Sequence, residues 1–164
     1  MDLSRYFTTI SSPIGDLTVT ATERGLSGVY FDNHLHPPCG REEWICDDGI
    51  RFDEVKSWFS AYMKRRKPEF LPKLDLSDGT AFQQRVWKAL MQITPGGTVT
   101  YQEIAKRVES PKAVRAVGAA IGRNPLSIII PCHRVLGSDG KLTGFAGGLE
   151  RKRWLLVHEG ILCL

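Results

Sequence analysis

TYQEIAKRVESPKAVRAVGAAI, residues 100–121, has the outline of two short helices joined by a tight turn. Thr100 and Glu103 form a capping box, which predicts the start of the first helix. Ser110 is predicted to cap the second helix, with Pro111 at its first helical position. The segment therefore predicts a helix-turn-helix.

The second of these helices is nearly bare, because most of its side chains are small. Only Lys112 and Arg115 are long and polar, whereas a helix that reads bases in a major groove needs several such side chains. The small side chains would let the helix backbone approach another surface closely and fit its shape rather than read a base sequence. Alternatively, they would let the helix pack tightly in the core. The small residues are Ala113, Ala116, Gly118, Ala119 and Ala120.

The rest of the chain predicts a mixed fold of the α/β (α+β) class. Alternating and β-branched residues predict an antiparallel meander of three strands, and apolar residues at helical spacing predict a helix over 49–64. After residue 77 helices predominate, with an apolar strand or extended segment at Ile128–Ile130 and a final helix from about Leu149 to His158. The predicted strands are Tyr6–Ile10, Leu17–Thr22 and Leu26–Phe31.

Composition and charge restrict the class of protein. The 164 residues are 42% hydrophobic and 24% charged, as expected of one globular domain or two small ones. Residues 1–76 carry 10 Lys/Arg and 12 Asp/Glu (net −2), and residues 77–164 carry 12 and 6 (net +6). The basic half suits a polyanion such as nucleic acid, or is simply a solvated surface.

The location expected from the sequence is the cytoplasm, or the nucleus in a eukaryote. No apolar run approaches the roughly 20 residues that span a bilayer, and Met1–Arg5 lacks the start of a secretory signal. Four cysteines are too few for a disulfide scaffold of this length. They are Cys39, Cys46, Cys132 and Cys163.

Pro131-Cys132-His133 is a candidate reactive site, because a thiolate is a strong nucleophile and a nearby base activates it. Adjacent residues of an extended chain point in opposite directions, so contact between Cys132 and His133 requires a backbone turn or a bridging water. Glu159 could orient His133, or could lie at an exposed helix end. The spacing of His34, His36, Cys39 and Cys46 matches no standard zinc pattern, and no metal is expected.

PCHRV at residues 131–135 resembles the active-site signature of the O6-alkylguanine-DNA alkyltransferases. The resemblance is strong over about residues 80–160 and weaker over 1–76. The other segments that carry it, in family order, are Phe82–Trp87, Thr100-Tyr101, Pro111–Ala113, Arg115–Gly118, Asn124-Pro125, Gly147–Leu149 and Leu155–Gly160.

This resemblance implies two domains and a DNA substrate. Residues 1–76 would form a small, ribonuclease-H-like sheet with a helix, and residues 77–164 a helical domain with a winged or helix-turn-helix motif. The partner would be double-stranded DNA containing O6-alkylguanine, bound through the minor groove with the damaged nucleotide flipped out. Arg115 would fill the gap in the base stack. The DNA-facing set would also include Tyr101, Lys112, Ala116, Gly118 and Ala119.

The resemblance also implies the chemistry. Cys132 would accept the alkyl group irreversibly, and His133, held by Glu159, would take the thiol proton through a water. Tyr101 would donate a proton to the departing guanine, and Asn124 would order the turn before the active site. Neither cofactor nor metal would be needed. The pocket would comprise Tyr101, Pro131, Val135, Phe145, Ala146 and Gly147.

Three departures from the family pattern qualify this resemblance. Ala146 stands where some members have a serine, Gly122-Arg123 replaces other residues before Asn124, and the zinc ligands of some members have no match. The size of the alkyl group and activity on O4-alkylthymine stay open.

Three other classes of protein are alternatives to an alkyltransferase. A lesion sensor would lack Cys132, a transcriptional regulator would need a second module, and a cysteine hydrolase need not bind DNA. A monomer in solution is expected, with cooperative assembly on DNA left open.

Overall fold

The computed structural model describes residues 3–163. Met1 and Asp2, which belong to the segment from which the absence of a secretory signal was predicted, lie outside the described residues, as does Leu164. The first half contains a sheet and one long helix, and the second half is mainly helical. The strands are β1 (Tyr6–Ile10), β2 (Leu17–Thr22), β3 (Gly25–Phe31), β4 (Ile45–Cys46), β5 (Val99–Thr100) and β6 (Val135–Leu136). The helices are α1 (Asp53–Met63), α2 (Ala81–Leu90), α3 (Tyr101–Arg107), α4 (Val114–Gly122) and α5 (Leu149–His158).

The predicted meander is confirmed, and it has one strand more than expected. The order in the sheet is β3-β2-β1-β4, with β1, β2 and β3 antiparallel. The additional strand β4 runs parallel to β1, so the sheet is mixed rather than purely antiparallel. β4 is only two residues long and both are exposed, which explains why no alternating pattern revealed it.

The core continues from the sheet into the helical half. Leu17 and Val29 of the sheet and Phe59 of α1 belong to the same buried cluster as Ile104 of α3 and Val117 of α4. Both capping boxes are present, at Thr80 with Gln83 and at Thr100 with Glu103. The mixed fold class predicted from the sequence is thus confirmed.

The predicted start of the second helix of the helix-turn-helix was wrong. α4 begins at Val114, with Ala113 as its capping residue, rather than at Pro111. The hydroxyl of Ser110 donates to the carbonyl of Val108 at 3.4 Å instead of capping the helix. The Ala113 N–H donates to the Ser110 carbonyl at 2.9 Å, so this segment is a turn.

The segment before Cys132 was also predicted wrongly, because Ile128–Ile130 does not form a strand. The chain reverses there through a tight turn in which Ile128 has a φ of +74°, a conformation that is rare for a β-branched residue. Val29 of β3 donates to the Pro125 carbonyl at 2.8 Å, which attaches this turn to the sheet edge.

The linker between the halves packs against the same sheet edge. Leu26 of β3 donates to the Lys73 carbonyl at 2.9 Å, and Leu26 and Leu74 form an isolated bridge. Within residues 3–163, no helix is long and apolar enough to cross a lipid bilayer.

Candidate active site

Cys132 is held rigidly at the end of the turn that follows α4. Asn124 closes this turn, since its side chain donates to the Ile130 carbonyl at 2.8 Å and accepts from the Leu126 N–H at 3.0 Å. A short 3₁₀ helix, Cys132–Arg134, then bends the backbone. Cys132 is only 6% exposed, so its thiol reaches solvent through a cavity rather than at an open surface.

Opposing effects act on the thiol of Cys132. Burial raises its pKa, because a low-dielectric environment disfavours the thiolate. The Asn124 side chain, the positive charge of Lys152 and the backbone N–H groups of Cys132 and His133 lower that pKa. Burial is the largest of these effects, so the pKa of Cys132 is raised overall and the residue rests as a thiol. The groups that oppose burial reduce the cost of forming the thiolate once a base removes the proton.

His133 is completely buried and is oriented by Glu159. Its Nε2 lies 2.6 Å from Oε1 of Glu159, while its Nδ1 is buried without a hydrogen-bond partner. Burial lowers the pKa of His133, and the bond to Glu159 opposes this effect. A neutral ring that donates from Nε2 has its Nδ1 lone pair free, and this is the form required of a base.

Glu159 is the centre of a buried network. Its Oε1 also accepts from the Tyr62 hydroxyl at 2.8 Å, and Arg134 donates to both carboxylate oxygens at 2.9 and 3.1 Å. Burial opposes the charged carboxylate, but the bonds from His133 and Arg134 prevail and lower its pKa to about 2. The Glu159 side chain is 7% exposed, so the alternative of an exposed helix end is wrong.

Tyr62 of α1 connects the first half of the chain to this network. We expect Tyr62→Phe to lower the free energy of unfolding by about 1.5–3 kcal/mol, the usual contribution of a hydrogen bond to a charged group. Urea denaturation would measure the change. Tyr6→Phe, which removes a hydroxyl from β1 instead, is the control and should stay within about 0.5 kcal/mol; equal losses in both variants would contradict the assigned role of Tyr62.

Lys152, like Tyr62, was not identified from the sequence. Its side chain is fully buried, and its ammonium donates to the carbonyls of Val135, Thr143 and Gly144 at 2.7, 2.6 and 3.2 Å. Burial lowers its pKa to about 8, and the charge of Cys132 opposes this shift. Lys152 therefore fixes both ends of the loop 135–144 and places a positive charge near the thiol.

A cavity of about 90 Å³ lies in front of the thiol of Cys132. Of the residues expected to form the substrate pocket, Tyr101, Phe145 and Ala146 line this cavity, whereas Pro131, Val135 and Gly147 are not among its lining residues. The pairing of β5 with β6 brings Tyr101 here, and its hydroxyl donates to the Thr143 carbonyl at 3.0 Å. The full lining is Leu35, Tyr101, Gly118, Ile121, Gly122, Cys132, Gly144, Phe145 and Ala146.

Most of the small residues of α4 are not buried. Ala116 and Ala119 are exposed, Gly118 lies in the cavity wall, and only Ala120 of the small residues is buried. Lys112 and Arg115 are exposed beside them. This exposure argues against the alternative that the helix is bare in order to pack in the core, and it leaves a smooth, basic surface next to the cavity.

His34, His36, Cys39 and Cys46 were considered as metal ligands because they lie close together in the sequence. Within the described part of the chain, no three His, Cys, Asp or Glu side chains are grouped to hold a metal ion. The ring of His34 is buried and packs on Tyr30 and Phe31 instead, and Cys39 and Cys46 are exposed.

The fold and the site together define a class: a helix-turn-helix protein with a buried, activatable cysteine. The family profile described as "6-O-methylguanine DNA methyltransferase, DNA binding domain" matches residues 81–161, and the profile for the "ribonuclease-like domain" matches residues 5–86. The chain belongs to this family of alkyl-transferring DNA-repair enzymes.

Individual relatives agree with this assignment. The methylated-DNA–protein-cysteine methyltransferase of Haemophilus influenzae is 44% identical over 158 residues, which cover 95% of this chain and 87% of that protein. The protein of the same name from Mycobacterium bovis is 46% identical, with coverages of 94% and 92%. A crystal structure of Mycobacterium tuberculosis OGT in complex with DNA has a TM-score of 0.85 at 45% identity, with coverages of 94% and 92%.

Proposed function

We propose that this protein repairs duplex DNA by transferring the alkyl group of O6-alkylguanine, methyl in the simplest case, irreversibly to Cys132. The observation that carries the proposal is the buried thiol facing a small cavity beside the His133–Glu159 pair. The family assignment and the DNA complex of the mycobacterial relative support it.

In the proposed reaction, the sulfur of Cys132 attacks the alkyl carbon in line. A bond forms between sulfur and carbon, and the bond between that carbon and O6 of guanine breaks. The free Nδ1 of His133 takes the thiol proton through a water, and Glu159 stabilises the resulting imidazolium. Tyr101 supplies a proton to the departing guanine, which leaves more easily when neutral.

The product is a thioether, which offers water no activated bond to cleave. The protein is therefore consumed after a single reaction, and neither a metal nor a cofactor takes part. With a large molar excess of duplex containing O6-methylguanine, intact-mass analysis should show that the protein gains a single methylene mass and then stops. Catalytic loss of lesion beyond the amount of protein would contradict single use, and tight lesion binding without a mass change would indicate a sensor.

DNA binding is assigned to α4 and the turn before it. Exposed Ala116 and Ala119 let the helix backbone approach the minor groove closely, Gly118 opens the way to the cavity, and Lys112 contacts phosphate. The cavity is too enclosed to meet a base inside the stack, so the damaged nucleotide is flipped out. Arg115, exposed on the same helix, occupies the space that the nucleotide leaves.

We expect Arg115→Ala to slow repair of duplex substrate by about 10- to 100-fold, because stabilising an extrahelical base involves a few kcal/mol of unstacking. Its reaction with the free base O6-benzylguanine, which needs no flipping, should be unchanged. Single-turnover rates with both substrates measure the difference. Arg107→Ala in α3 is the control, and an equal loss on the free base would place Arg115 in the chemistry instead.

We also propose a domain boundary, an assembly state and a location for the protein. The change in charge and the linker before α2 favour domains of residues 1–76 and 77–164. The protein is proposed to be a monomer in solution, and cooperative assembly on DNA stays open. All four cysteines are free, which suits the reducing conditions of the cytoplasm, or of the nucleus in a eukaryote.

A further inference from the structure

One wall of the active-site cavity comes from the first half of the chain. Leu35 follows β3 and lines the same cavity as Cys132 and Ala146. Its backbone N–H donates to the Ala146 carbonyl at 2.8 Å, which ties the loop to the cavity wall. Leu35 is nevertheless 66% exposed, so its side chain lies at the mouth of the cavity rather than at its floor.

The neighbours of Leu35 hold it in this place. The ring of His34 is buried, stacks on Phe31 and accepts from the Phe31 N–H at 3.4 Å. Arg151 of α5 donates to the Asp32 carbonyl at 2.8 Å. Because His34 and Arg151 anchor the loop, the backbone at Leu35 is fixed, and the Leu35 side chain lies over the opening of the cavity.

The other large apolar side chains that line the cavity, Phe145 and Ile121, cannot move or be truncated without disturbing the packing around them. Phe145 packs edge-on against Phe31 and His133, with ring centroids 5.8 and 6.5 Å apart. Ile121 is 4% exposed and belongs to the core, so truncating it would leave a void inside the protein. Leu35 is therefore the lining side chain whose size can change with little effect on packing.

We propose, building on the alkyl transfer proposed above, that Leu35 determines which alkyl groups reach Cys132, by limiting the space at the mouth of the cavity. A methyl group is small enough to reach Cys132 through the cavity without moving the Leu35 side chain. A benzyl group extends past the mouth and must displace the Leu35 side chain. Leu35 is thus a specificity-determining residue contributed by the half of the chain that carries none of the proposed DNA contacts.

Competition between two lesions tests this role. Equal amounts of duplexes containing O6-methylguanine and O6-benzylguanine are mixed with limiting protein, and the two products are separated by intact mass. Effects on DNA binding common to both duplexes cancel in this ratio. We expect Leu35→Ala to raise the benzyl-to-methyl product ratio about tenfold, the usual range for small steric changes in an apolar pocket, and Leu35→Trp to lower it.

Leu71→Ala is the matched control, because Leu71 is also an exposed leucine, at 48%, but does not line the cavity. Its product ratio should equal that of the unaltered protein. An unchanged ratio in both Leu35 variants, or a lower ratio in Leu35→Ala, would overturn the proposed role while leaving alkyl transfer intact. If the unaltered protein transfers neither group, the proposed function fails, and this role with it.

Discussion

Cys132→Ala will abolish alkyl uptake, because the proposed acceptor sulfur is removed and the cavity in front of it is lined by no other thiol. After incubation with a duplex containing O6-methylguanine, the mass of the variant should stay unchanged, whereas the unaltered protein gains a methylene mass on the peptide carrying Cys132. The variant should still bind the lesion duplex, since α4 and the cavity walls are intact. Mass spectrometry and a gel-shift titration measure the two properties.

The other cysteines provide the controls for this experiment. Cys39, Cys46 and Cys163 are exposed and lie outside the cavity, so replacing any of them by Ala should leave alkyl uptake at the level of the unaltered protein. Methylation of a cysteine other than Cys132, or uptake by Cys132→Ala, would show that the buried thiol is not the acceptor.

Glu159→Gln will lower the single-turnover rate by about 10²- to 10⁴-fold, the usual contribution of a positioned acid–base group. Gln keeps the shape of Glu159 but cannot stabilise a positively charged His133 after proton transfer. A Gln NH₂ turned toward Nε2 would also favour the wrong tautomer, with the proton on Nδ1. Rapid-quench kinetics with the lesion duplex measure the rate.

The pH dependence of the stability of Glu159→Gln tests the hydrogen-bonded network around Glu159 independently of catalysis. The folded-state pKa of Glu159, about 2, lies below its ordinary value of 4.5. Its carboxylate therefore stabilises the fold fully above about pH 4.5, and this contribution is lost as the pH falls through 2. Denaturation at several pH values should show that Glu159→Gln is less stable near pH 7 and less sensitive to acid.

Glu150→Gln in the first turn of α5 controls for the loss of one negative charge. It should keep both the transfer rate and the acid sensitivity of the unaltered protein. A Glu159→Gln protein that is destabilised but reacts at the normal rate would make Glu159 structural only.

The parts of the fold that were predictable are those encoded locally. The capping boxes at Thr80 and Thr100 depend on residues three positions apart, and the meander depends on alternation within each strand. The turn at Ile128 was not predictable, because it is imposed by Asn124 and by the edge of β3. An Ile-Ile-Ile run is typical of a strand, and tertiary hydrogen bonds override that preference here.

The residues of the functional site likewise divide into those that the local sequence indicated and those that only the folded chain brings together. The Pro-Cys-His sequence identified Cys132 and His133 as candidates, whereas the family resemblance implied the role of Glu159. The structure brings His133 and Glu159 together. Lys152 was missed although a signal existed, since it shares a helical face with Leu155 and Leu156. Leu35 had no comparable signal, because only the folded chain brings that polar loop to the cavity.

The bond between Tyr62 and Glu159 also has a consequence for exchange of segments between relatives. A hybrid that joins residues 1–76 of one family member to 77–164 of another divides a single hydrogen-bonded network at the linker. Such a hybrid inherits its reactive cysteine from one parent and one of the donors that position the supporting carboxylate from the other. Recombination at this linker therefore preserves function only between parents whose residues at these two positions are compatible.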